Sequence, residues 1–138
     1  MEPITKFENL QQMIDSLNEW KMRLGLYDWT IKVKMVEPHE FELDECDGEC
    51  EYTEINKSAT IRILKPQYYG DRIQKYCAER ILVHELLHCK FALLDTNNDG
   101  FNTLIHQTQE DITKAFMCAK YNIGRDWFDN IHYEEDEA

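Results

Sequence analysis

Positive charge is scarce in this chain. Fifteen Lys and Arg stand against 27 Asp and Glu, a formal net charge of −12 over 138 residues. Nucleic acids and anionic membranes both require clustered Lys and Arg, so neither is an expected partner. Between Glu37 and Glu54 the shortage is complete: nine acidic residues fall there with no Lys or Arg among them. That run reads as solvated surface, and so does the acidic tail Glu134, Glu135, Asp136 and Glu137, with residues 134–138 expected to be disordered. Long apolar stretches are also missing, none approaching the ~18 residues of a membrane span. The opening MEPITKFENLQQ has neither a basic segment nor an apolar one, so no signal peptide is expected. With only three Pro and five Gly, no linker or low-complexity break divides the chain, and residues 1–138 read as one domain.

Cysteine is present but in the wrong pattern for a disulfide framework. The five cysteines are an odd number, and Cys77, Cys89 and Cys118 lie inside apolar helical patterns. That usage fits buried thiols in a reducing cytoplasm. Cys46 and Cys50 flank an acidic CDGEC turn and could bridge or hold a soft metal, but no second pair stands at zinc-finger spacing.

What the chain does have is a hydrophobic content of 43%, enough for a core without disulfides. Thr5 and Glu8 have capping-box spacing and predict a helix to about Leu24, with Gly25 as its C-cap. Alternation predicts a strand over Trp29 to Val36 and another over Ala59 to Leu64, with a less defined one near Cys50 to Ile55. Helical spacing returns from about Asp71 to Leu94 and again from Thr103 to Asn122, where Gly124 reads as the stop. The order predicts an α+β domain with a small, mostly antiparallel sheet of about three strands.

The chemistry is concentrated in Ala78 to Leu94, AERILVHELLHCKFALL. Residues four apart on a helix share a face one turn apart, so His84 and His88 can aim at one ion of zinc size. Glu85, beside the first of them, can reach water activated by that ion and act as a general base without ligating the metal. A catalytic zinc needs a third protein ligand and an open position. The next helix offers Glu110, 22 residues after His88, and His106 one turn earlier on the same face. Glu110 is the favoured ligand, and whichever of the two does not bind can orient a ligand instead.

The helix-borne HELLH followed by an acidic residue on the next helix resembles the gluzincin zinc metallopeptidases. Shortness, the Leu24–Trp29 segment leading into a strand, and the strand before the HELLH helix resemble the minimal single-domain zincins of bacteria, archaea and phages. The resemblance implies a zincin-like fold and zinc on His84, His88 and Glu110, with Glu85 as the catalytic base. It further implies a peptide or protein substrate lying along the strand near Ala59 to Leu64. The oxyanion-stabilising residue is left open among Tyr68, Tyr69, Tyr121, His132 and Tyr133. If the acidic 37–54 loop borders the cleft, basic substrates would be favoured. Two rivals stand beside the hydrolase: a zincin-fold binding module that regulates a partner without turnover, and a structural zinc protein with Cys or His in the fourth position. Finally, Asp95 to Gly100 matches the opening of a calcium loop but has His106 where a bidentate Glu belongs, and reads as a polar turn.

Overall fold

The computed structural model describes residues 1–43, 46–94 and 96–130. Three helices, α1 (Leu10–Arg23), α2 (Ala78–Lys90) and α3 (Asp99–Tyr121), pack with three strands, β1 (Thr30–Val36), β2 (Gly48–Thr53) and β3 (Ser58–Leu64). The α+β class holds, but the sheet is mixed. β3 is central; it pairs parallel with β1 (Val33 opposite Ile61) and antiparallel with β2 (Cys50 opposite Ile61). The expectation of a mostly antiparallel sheet misses the parallel pair. β2 lies one strand position away from β1, and the return of the chain as β3 fills the gap between them.

The sheet has one dry face. Ala59, Ile61 and Ile63 of β3 are buried, flanked by half-buried Ile31, Val33 and Met35 of β1 and by Cys50 and Tyr52 of β2. Their alternate neighbours face outward, where Arg62 pairs with Glu49 at 3.2 Å and Glu51 at 3.4 Å. Such alternation is what a one-sided sheet requires. Against the dry face lies α2, buried from Ala78 to Leu87 without a break. A helix surrounded on all sides must satisfy its own polar side chains internally.

Glu79 shows how. It is fully buried, and its carboxylate accepts from the Ile4 backbone N–H (2.8 Å), Trp20 Nε1 (2.8 Å) and the Tyr121 hydroxyl (2.7 Å), with Lys120 Nζ at 3.2 Å. One side chain thereby ties the amino-terminal segment, α1 and α3 to α2. Replacing Glu79 by Ala strands these donors and should cost about 3–5 kcal/mol. Thermal unfolding would register this as a drop on the order of 10 °C; a shift of a degree or two would show that the cluster contributes little.

Helix boundaries moved for identifiable reasons. α1 begins at Leu10, capped by Asn9, whose side chain accepts from Gln12 N–H, and not at Thr5. Residues 4 and 5 are engaged elsewhere: their carbonyls accept the first free N–H groups of α2, from Glu79 and Ala78. Gly25 does end α1, at φ +70°, in a Schellman arrangement with Leu26 N–H bonded to Lys21 O. Residues 71–77 are not helical because their backbone pairs with the chain beyond α3: Lys75 N–H donates to Phe128 O and Asn130 N–H to Ile73 O. α3 starts four residues earlier than expected, with Asn98 as its cap, and ends at left-handed Asn122; Gly124 instead opens a short 3-10 turn. Asp99 and Gly100 are thus inside a helix and Thr96 is hydrogen-bonded to Asn102, which leaves no calcium loop over residues 96–100. Asp95 and the tail 134–138 lie outside the described residues. No helix among the described residues is long and apolar enough to cross a membrane.

Candidate metal centre

α2 and α3 pack antiparallel, so moving back along α2 moves forward along α3. Gln109 Nε2 donates to Leu87 O at 3.5 Å, whereas Arg80, two turns earlier, reaches Glu110 at 3.1 Å. This register sets His106 level with the histidine pair of α2. One nitrogen from each of His84, His88 and His106 lies within 4.8 Å of the others, close enough to bind a metal ion. The ring centroids are 4.6 Å (His84–His106), 5.2 Å (His84–His88) and 5.8 Å (His88–His106) apart. Zn–N bonds of ~2.0–2.1 Å in tetrahedral geometry need nitrogens about 3.3 Å apart, so small rotations would close the site. Three imidazoles converging without a fourth protein ligand among the described residues form a donor set that fits a catalytic zinc.

Glu110, the favoured third ligand on sequence, is not part of this cluster. Its Oε2 lies 2.6 Å from His84 Nδ1 and its Oε1 3.1 Å from Arg80, with Lys114 Nζ at 3.9 Å. The His84 contact is short but not aligned as a hydrogen bond. With Nδ1 against a carboxylate, Nε2 is the nitrogen His84 has left for a metal. The helix register separates the two: one turn beyond His106, Glu110 faces Arg80 and lies against Nδ1 of His84.

The electrostatics follow from these neighbours. Burial favours the protonated form of Glu110, but His84, Arg80 and Lys114 outweigh it and hold the carboxyl down at about 2. His84 is pushed up: burial opposes its charge, yet Glu110 and Glu85 hold the proton more strongly. His106 is pushed down, by burial and then by the charge of His84. Glu85 is pushed up to about 8, mainly by burial, with His84 pulling the other way. It lies 3.8 Å from His88 Nε2 and is 4% exposed.

A prediction follows with its sign. In the metal-free protein burial pushes Glu85 up to about 8 and the neighbouring carboxylates push His84 upward, so both favour their protonated forms more than usual, whereas ligation needs neutral His84 and a nearby dication favours ionised Glu85. Zinc uptake at pH 7 should therefore release protons, and affinity should rise with pH. Titration calorimetry in buffers of different ionisation enthalpy checks this; identical heats in all buffers would contradict it.

A cleft of about 690 Å³ opens on the cluster, lined by Asp47, Gly48, Tyr69, Arg72, Glu85 and Glu110 among others. Gly48 sits where β2 packs tightly on α2: a Cβ there would be 2.8 Å from Glu85 Oε2 and 2.5 Å from Ile81 Cγ2. The acidic loop does border the cleft, and the two of its carboxylates found in the lining among the described residues are paired, Asp47 with Arg80 (2.8 Å) and Glu49 with Arg62. Arg72 differs. It lies 4.5 Å from the Tyr69 ring centroid and has no carboxylate partner among the described residues. Of the oxyanion candidates, the Tyr69 hydroxyl donates to Gln74 O and Tyr121 is held by Glu79. Tyr68 is exposed and does not line the cleft, and His132 and Tyr133 lie outside the described residues.

Sequence reasoning singled out neither Arg80 nor Asp47, although Arg80 stands four residues before His84 on the same helical face. It also missed the sulfur contact between Cys50 and Cys89, 3.7 Å apart. None of the five cysteines forms a disulfide. No protein-family model matches this chain, and no curated protein matches it.

Proposed function

We propose that the chain is a zincin-like, zinc-dependent hydrolase of peptide bonds that carries its metal on three histidines. The observation that supports this most is the convergence of His84, His88 and His106 at the mouth of a cleft, beside buried Glu85. The gluzincin resemblance rested on Glu110 as a ligand. A histidine in that place makes the proposed centre a three-histidine HExxH site, with Glu110 as the support of His84.

Zinc, when bound, supplies a Lewis acid that polarises a carbonyl and makes water a nucleophile near neutral pH. The residues of the chain do the rest. Glu85 accepts a proton from the attacking water and returns it to the leaving amine. Glu110, itself fixed by Arg80, keeps the His84 ring in one orientation. Arg72 offers an unpaired positive charge to a substrate oxygen. A peptide would be held along β2, the edge strand that lines the cleft, by backbone pairing. The expectation that β3 does this fails on topology, since β1 and β2 occupy both its edges.

The reading is tested with zinc-loaded protein and a panel of unstructured protein substrates, comparing wild type with Glu85→Gln. Cleavage lost in the variant while zinc is retained supports a hydrolase. Zinc binding without cleavage of any substrate would favour the regulatory binding module. The structural-zinc reading has less support, because no cysteine joins the cluster among the described residues.

A further inference from the structure

Two thiols face each other across the joint between the sheet and the helix that carries the histidine pair. Cys50 shares the helix-facing side of β2 with Gly48 and Tyr52, and its Sγ lies 3.7 Å from Sγ of Cys89 in the last turn of α2. Tight packing makes the contact possible. Gly48 has no side chain to hold β2 off α2, since a Cβ there would fall 2.5 Å from Ile81 Cγ2. Two residues further along the strand, on the same face, a cysteine meets a cysteine.

The two differ in access. Cys50 is half-buried and lines the cleft, whereas Cys89 is 3% exposed, so a small oxidant entering the cleft meets Cys50 first. A reachable thiol backed by a second one that can displace oxygen from it is the arrangement of redox-sensitive pairs. The Cys89 contact and then burial push the Cys50 thiol upward, so capture of an oxidant is slow, and the neighbouring sulfur sets the outcome. Cys77 is fully buried, and its thiol donates to Ile4 O. Cys46 also lines the cleft and is the rival partner for Cys50.

We propose that Cys50 and Cys89 form a reversible oxidation site, at which hydrogen peroxide makes a disulfide that fastens β2 to α2. The Cys50 sulfur attacks one peroxide oxygen, the O–O bond breaks, and the thiol proton leaves with the other oxygen as water. The Cys89 sulfur then attacks the resulting sulfenic acid: the S–S bond forms, the S–O bond breaks, and the departing hydroxide takes the Cys89 proton as a second water. Two thiols have together given up two electrons, and one peroxide has become two waters. The sulfurs have about 1.7 Å to close before they reach bonding distance. A dithiol reverses the bridge by exchange. The strand that lines the cleft is thereby tied to the helix of His84 and His88, whether or not the protein is a hydrolase.

The test treats the full-length protein with hydrogen peroxide and counts its thiols after denaturation. A pair of the five should disappear, and the mass should fall by that of two hydrogen atoms. Digestion at Lys, Arg and Glu, which cuts after Glu49 and so separates Cys46 from Cys50, should yield a Cys50 peptide joined to a Cys89 peptide. The bridge closes a loop spanning 39 positions, so the thermal midpoint should rise by about 10 °C and return with dithiothreitol. Cys46→Ser should change none of this. Cys50→Ala and Cys89→Ala should each abolish the bridge and the rise; if Cys89→Ala folds poorly, the Cys50 variant, at a half-buried position, serves alone. A Cys46–Cys50 bridge, a bridge between chains, Cys50 carried to sulfinic acid with Cys89 still a thiol, or five surviving thiols would each overturn the assignment. A Cys50–Cys89 bridge with no rise in the midpoint would overturn the fastening of β2 to α2.

Discussion

Glu85→Gln should leave zinc content unchanged and lower peptide hydrolysis by a factor of about 10²–10⁴, the usual worth of a positioned general base. The amide has nearly the shape of the carboxyl, so the pocket made by Ile81 and Gly48 is undisturbed. What is lost is the ability to take a proton. The substitution should also remove the alkaline-shifted titration that burial gives this residue, which sits at about 8 in the metal-free protein. Fold stability should hold or rise, since a buried ionisable group is exchanged for a neutral one. Hydrolysis and zinc content measured on one preparation decide the matter. Activity retained within tenfold would remove Glu85 from the chemistry, and the regulatory module would become the better account of the fold.

The second large effect separates His106 from Glu110. His106→Ala removes one of three nitrogens and should bring zinc content from one per chain to near zero at submicromolar metal. Glu110→Gln should retain the metal with affinity weakened about 10–100-fold, as expected for a residue that orients a ligand. The two substitutions are read by elemental analysis and by competition with a coloured chelator. Zinc lost in Glu110→Gln and kept in His106→Ala would reverse the assignment and restore the carboxylate as the third ligand.

Much of this protein was legible in its sequence because the relevant signals are local. His84, Glu85 and His88 fall within five residues, and helical geometry alone puts the histidines on one face. Alternation at Ile31, Val33 and Met35, and at Ala59, Ile61 and Ile63, identified β1 and β3 because each strand has one buried face. β2 was harder to see. Its helix-facing positions are Gly48, Cys50 and Tyr52, and the glycine is there because Glu85 needs the space, so no apolar period marks it.

Other features depend on partners far along the chain, and no local pattern encodes them. The capping-box spacing of Thr5 and Glu8 was real, but the carbonyls of residues 4 and 5 serve α2, more than 70 positions away. The apolar period after Asp71 suggested a helix, yet that segment pairs with residues 128–130. A helix-forming preference of a few tenths of a kcal/mol per residue yields to such tertiary hydrogen bonds.

By itself, then, the sequence determined the α+β class, two of the three clustered histidines and the carboxylate beside them. Tertiary structure alone decided that His106 completes the cluster, that Glu110 and Arg80 stand behind His84, and that β2 forms the cleft edge. Both His106 and Glu110 lie on the same face of α3, one turn apart, so periodicity cannot choose between them. The choice is made by the register in which α3 packs on α2, where Arg80 meets Glu110 and Gln109 meets the Leu87 carbonyl.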